Sequence, residues 1–79
     1  MEALIFVQIL EGSSPLEVSR DISKIEGVTE VLMISGEWDL LVRLKYNNME
    51  DLSSFVVSNL RSAKGVGRTE TTIILDKVK

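Results

Sequence analysis

At 79 residues, 44% hydrophobic and 27% charged, the chain has the composition of one globular domain, which excludes disordered, collagen-like and low-complexity readings. It contains neither cysteine nor histidine, so a disulfide scaffold, thiolate chemistry and the commonest general base and metal ligand are all missing. A formal net charge of −3 makes a poor polyanion binder, and no apolar run reaches the roughly 18 residues of a spanning helix.

The charge is unevenly placed. Residues 1–26 carry two bases against five acids, whereas residues 61–79 carry five bases against two acids. This asymmetry reads as a solvated surface. The opening Met1–Gln8 has no basic region and its apolar run breaks at Gln8, so it does not read as a secretory leader. The lack of cysteine suits a reducing compartment, and the cytoplasm is the expected location. A chain this short buries only about 60% of its unfolded surface. With no disulfide and no evident metal site, self-association is the expected supplement to its core.

Residues 1–79 are read as one domain without linkers. Glu2–Glu11 reads as a strand rich in Leu, Ile, Phe and Val, closed by Gly12-Ser13. Both its faces are apolar: Ala3, Ile5, Val7 and Ile9 on one, Leu4, Phe6 and Leu10 on the other, with Gln8 the exception. A strand of this kind belongs to a sheet covered on both sides. One cover is the chain's own helices; the other has to come from elsewhere. Ser14-Pro15-Leu16-Glu17 forms a capping box that starts a helix over Pro15 to about Glu26, with Val18, Ile22 and Ile25 on one face and Gly27 as the stop.

Val28–Ser35 and Glu37–Tyr46 read as two strands of a hairpin turning at Gly36. In the second, Trp38, Leu40, Val42, Leu44 and Tyr46 alternate with Asp39, Leu41, Arg43 and Lys45, which places Trp38 on the apolar face and Asp39 opposite. Asn47 or Asn48 caps a second helix running from Met49 to about Ser62, with Met49, Leu52, Val56 and Leu60 as its stripe and Phe55 beside it. Gly65 and Gly67 mark its exit, and Val66 to about Val78 forms the last strand. The order β-α-β-β-α-β is the ferredoxin-like plan of the α+β class: a four-stranded antiparallel sheet with both helices on one face.

Two stretches carry candidate chemistry. In Ser35-Gly36-Glu37-Trp38-Asp39, Gly36 permits a tight turn and open backbone N–H groups. An acid such as Asp39 on a covered sheet face needs a cation or donors, and a ligand ammonium is one such cation. In Thr69-Glu70-Thr71-Thr72, alternate hydroxyls on a sheet surface donate to and accept from carboxylates and amides, although threonines also favour strands for their own sake. Trp38 reads first as core or interface packing. No RNA-recognition aromatic motif, nucleophile elbow or phosphate-binding loop is present, so neither RNA binding nor catalysis is expected.

The chain resembles the C-terminal effector-binding (RAM) domain of the Lrp/AsnC, or feast–famine, transcription regulators. The resemblance rests on the element order, on Ile25-Glu26-Gly27-Val28, on Ser35-Gly36-Glu37-Trp38-Asp39-Leu40-Leu41-Val42 and on Gly65-Val66-Gly67-Arg68-Thr69-Glu70-Thr71-Thr72-Ile73-Ile74-Leu75. It implies sheets paired face to face in an αβ-sandwich dimer, dimers joined into rings, and an effector, typically an amino acid, held where dimers meet. Carried over, the effector-binding residues are Gly36, Trp38, Asp39, Thr71 and Thr72. Asp39 would take the ammonium, backbone around Gly36 the carboxylate or side chain, and the threonines the remaining polar atoms. No metal and no cofactor are implied.

Family regulators also carry an N-terminal helix-turn-helix domain, whereas the first strand here starts at Glu2. The expectation is therefore a stand-alone sensing and oligomerisation module of amino-acid metabolism, without direct DNA binding or membrane association. Its partners would be further copies of itself and a full-length Lrp/AsnC regulator. The alternatives are a purely structural oligomerisation adaptor and, on fold analogy alone, a small dimeric-barrel enzyme.

Overall fold

The computed structural model describes all 79 residues. Its elements follow in the order β1 (Glu2–Ile9), α1 (Pro15–Ser23), β2 (Val28–Met33), β3 (Leu40–Lys45), α2 (Met49–Ser54) with a π-helical continuation over Phe55–Leu60, and β4 (Val66–Ile73). The strands form one antiparallel sheet in the order β2-β3-β1-β4. The molecule measures 36 × 27 × 19 Å, and the shortest dimension holds one sheet and one helical layer.

The alternation of β1 decides which side the helices take. Ala3, Ile5 and Val7 are fully buried, as are Leu40 and Val42 of β3, and Val18 and Ile22 of α1 and Leu52 of α2 close over them. On the reverse side, Leu4, Phe6 and Gln8 are only half-buried. Cross-strand register aligns Leu32, Leu41 and Phe6 in one row across this open face. Arg43 lies 3.7 Å from both Glu2 and Glu30 on the same face. The expected asymmetry is therefore present: one side of the sheet is covered by the chain itself and the other is not.

The caps explain the helix starts. Ser14 Oγ accepts the Glu17 N–H at 3.2 Å, and Asn48, rather than Asn47, caps α2 by accepting the Asp51 N–H at 2.9 Å. Each satisfies a donor that has no partner within the first helical turn.

The second helix departs from the expected single α-helix. Beyond Ser54 the hydrogen bonding widens, so that Arg61 N–H donates to Val56 O at 2.9 Å. Phe55 and Leu60 are both buried there. In an α-helix residues five apart differ by about 140° around the axis and cannot share a face; an i→i+5 register brings them to the same side. Phe55 thus replaces Val56, which is half-buried, as the main core contact.

The strand ends also fall short of their sequence-based limits. β2 stops at Met33 and β3 starts only at Leu40, leaving residues 34–39 as a loop. That loop is tied by Ile34 N–H to Asp39 O and by Asp39 N–H to Val7 O, both at 2.9 Å. Alternation therefore does not extend back to Trp38. Leu40, Val42, Leu44 and Tyr46 face the helices as expected, but Trp38 lies against Phe6 on the open side. β4 ends at Ile73, after which one bond from Ile74 N–H to Glu2 O continues the pairing.

Candidate functional site

The 34–39 loop sits at the end of the sheet where β1 finishes and β4 begins, since Ile9 pairs with Val66. Gly36 has φ +151°, a conformation that side chains other than hydrogen rarely adopt, and its surroundings are open. Asp39 is half-buried and turned along the sheet toward β1. Its Oδ2 accepts the Ile9 N–H at 2.7 Å, at the point where a register shift between Val7 and Ile9 interrupts the β1–β4 ladder. One carboxylate oxygen of Asp39 is thus engaged by the fold, and the other takes no hydrogen bond from the chain.

Trp38 closes the site on the open side. Its ring tilts against Phe6 with centroids 5.9 Å apart, and the guanidinium of Arg68 stacks 4.8 Å from its centroid. Arg68 also lies 3.6 Å from the Glu37 carboxylate, and Gln8 Nε2 donates to Glu37 O at 3.2 Å. Gly36, Trp38 and Asp39 therefore come together with Phe6, Gln8, Glu37 and Arg68.

The threonines do not join them within one chain. Thr72 pairs with Leu4 on the open face, whereas Thr71 pairs with fully buried Ile5 and lies on the helix side. Strand alternation makes it impossible for both to face one pocket. Thr72 also stands four residues beyond Arg68, about 13 Å along the strand. Sequence reasoning missed Phe6, Gln8, Glu37 and Arg68 as neighbours of Trp38. The signal for Arg68 was its even spacing with Glu70 and Thr72 along β4, which becomes informative only once the β1–β4 register is known.

The largest cleft lies at the other end of the sheet. It holds about 400 Å³ between the end of β3 and the second helix, walled by Gly27, Lys45, Tyr46, Asp51, Phe55 and Asn59. Every buried side-chain polar atom in the structure has a partner, so none is left aimed into it. Size alone does not make it the site.

The model of the Lrp/AsnC ligand binding domain matches residues 2–79. The chain belongs to this family. An uncharacterised HTH-type transcriptional regulator of Pyrococcus abyssi is 43% identical over 68 residues, which cover 86% of this chain and 45% of the regulator. The chain thus spans less than half the length of that curated relative. Homocitrate synthase of Sulfurisphaera tokodaii is 37% identical over 78 residues, 99% of this chain but only 17% of the synthase. Among solved structures, a transcriptional regulator of Neisseria meningitidis in complex with L-Met superposes with a TM-score of 0.90 at 26% identity, over 99% of this chain and 51% of the regulator. The ferredoxin-like arrangement of this Lrp/AsnC domain is therefore shared with a regulator of known structure. No helix is long and apolar enough to cross a membrane.

Proposed function

We infer that this Lrp/AsnC domain is a non-catalytic sensor that binds an amino acid at the 34–39 loop and passes its occupancy to a regulator through subunit contacts. The observation that carries this reading is the likeness, over 99% of the chain, to a regulator solved with L-Met bound. The loop offers suitable chemistry: a carboxylate on Asp39 with one oxygen unengaged, for an ammonium group, and an open backbone turn at Gly36.

Thr72, about 13 Å beyond Arg68 along β4, would complete the pocket from another subunit, as expected of a site where subunits meet. The open sheet face supports such an assembly. Its row of Leu32, Leu41 and Phe6 is apolar, and Leu32 is 42% exposed in the single chain. A second copy laid on this face forms an αβ-sandwich dimer, and dimers meeting with the 34–39 loop of one against the β4 edge of another bring the site to Thr72. The stand-alone role, in the cytoplasm and in partnership with a full-length regulator, completes the proposal.

The match to homocitrate synthase covers the whole domain but 17% of that enzyme, so the synthase's activity does not come with it. It favours a second form of the same reading, in which the controlled partner is a biosynthetic enzyme rather than a DNA-binding protein.

A thermal-shift screen of the twenty amino acids tests the proposal. Ligand at 100 Kd adds about 2.7 kcal/mol of stability and raises the melting temperature. A flat response to all twenty at millimolar concentration would leave the structural oligomerisation adaptor as the better account.

A further inference from the structure

Resting on the reading that an amino acid binds at the 34–39 loop, we propose that Arg68 is the residue that recognises its α-carboxylate, and that Glu37 is a built-in competitor for Arg68.

The side chain of Arg68 is held in place by stacking. Its guanidinium lies 4.8 Å from the Trp38 centroid, and Trp38 leans on Phe6, so the cation rests on a two-ring platform. A guanidinium presents five N–H donors in a planar fork that matches a carboxylate. Here the fork is barely used. Its one acidic neighbour is Glu37, at 3.6 Å, longer than the roughly 2.7–2.9 Å of a charge-assisted hydrogen bond. The two side chains are 61% and 74% exposed, so water screens what attraction remains.

Glu37 is anchored by its main chain rather than by its carboxylate, because its carbonyl accepts from Gln8 Nε2. Its side chain can swing away while the loop stays in place. The arrangement is a carboxylate-binding fork loosely occupied by a carboxylate of its own loop, and a ligand carboxylate in that position would displace Glu37.

Arg68 touches Glu37 and Trp38, the two residues immediately before Asp39. A fork for an anion is therefore stacked on the residue next to the carboxylate assigned to a cation, an order that suits the two charges of an α-amino acid zwitterion. The site selects free amino acids over amines, esters and amides. The backbone near Gly36 is left to the ligand's side chain.

Titration calorimetry on the full chain with L-methionine and L-methioninamide tests this, since the amide keeps the side chain and ammonium but lacks the carboxylate. Wild-type protein is expected to prefer methionine over the amide by at least about tenfold. Arg68→Gln, folded by circular dichroism, should lose that preference. Glu37→Gln should bind methionine severalfold more tightly. The same acid and amide pair is run for each of the other nineteen amino acids that binds. An intact carboxylate preference in Arg68→Gln overturns the assignment of Arg68 alone. No binding of any of the twenty by the wild type overturns the amino-acid reading, and this proposal with it.

Discussion

Asp39 accepts the backbone N–H of Ile9 at 2.7 Å, joining the loop before β3 to the end of β1 across thirty residues of sequence. The bond sits where the β1–β4 ladder shifts register, so a side chain supplies an acceptor to a donor at an irregular point of the sheet. The residue that the binding proposal assigns to the ligand ammonium is therefore also a structural tie. Substitutions at Asp39 separate the two roles only if they keep the acceptor.

Asp39→Asn keeps an oxygen for the Ile9 N–H and removes the charge. It should cost less than about 1.5 kcal/mol of stability, whereas Asp39→Ala, which leaves a part-buried N–H unpaired, should cost about 1.5–3 kcal/mol. Urea unfolding of the two variants measures the difference. Equal losses would show that the bond to Ile9 contributes nothing.

Gly65 and Gly36 both have positive φ but differ in surroundings. At Gly65, with φ +88°, an added Cβ would stand 2.6 Å from Val18 Cγ2, while at Gly36 nothing lies within 4 Å. Gly65→Ala should cost more than Gly36→Ala, which carries backbone strain alone, about 1–2 kcal/mol. Thermal melts of the pair check the order.

The wider register of the second helix makes a specific claim about Phe55 and Val57. Phe55→Ala removes a buried ring and should cost about 3–5 kcal/mol. Val57→Ala, at a position 58% exposed, should stay within about 0.5 kcal/mol. Chemical denaturation distinguishes this from an ordinary α-helix with Val56 innermost, in which Val56→Ala would exceed Phe55→Ala.

The open face yields a test of assembly. Leu41 lies between Leu32 and Phe6 in the apolar row, so Leu41→Lys places a charge at its centre. Light scattering at micromolar concentration should give an oligomeric mass for the wild type and a smaller one for the variant. A monomeric wild type would remove the face-to-face dimer from the account.

Much of the fold was legible because short-range patterns specify it. The Ser14 and Asn48 caps, the alternation through Leu40, Val42 and Leu44, and the two-sided apolarity of β1 each depend on neighbours a few residues away. What escaped depends on long-range register. Trp38 continues the alternation of β3 on paper, yet the bonds of Asp39 to Val7 and Ile9 hold residues 34–39 as a loop and turn the ring to Phe6. The shift from Val56 to Phe55 was hidden because a helical stripe is read at 3.6 residues per turn. Thr71 and Thr72 came as a pair from the resemblance, although adjacent strand residues face opposite sides; alternation alone could have separated them. Arg68 reads as an ordinary loop cation until β4 is laid beside β1.

The proposed function requires that a free amino acid bind at the loop containing Gly36 and Asp39. Its most direct test is titration calorimetry of the full chain against each of the twenty amino acids, repeated with Asp39→Asn. The wild type should bind at least one amino acid saturably, and a folded Asp39→Asn variant should lose that binding. Undiminished binding by Asp39→Asn, or no binding by a folded wild type at millimolar ligand, would contradict the proposed function.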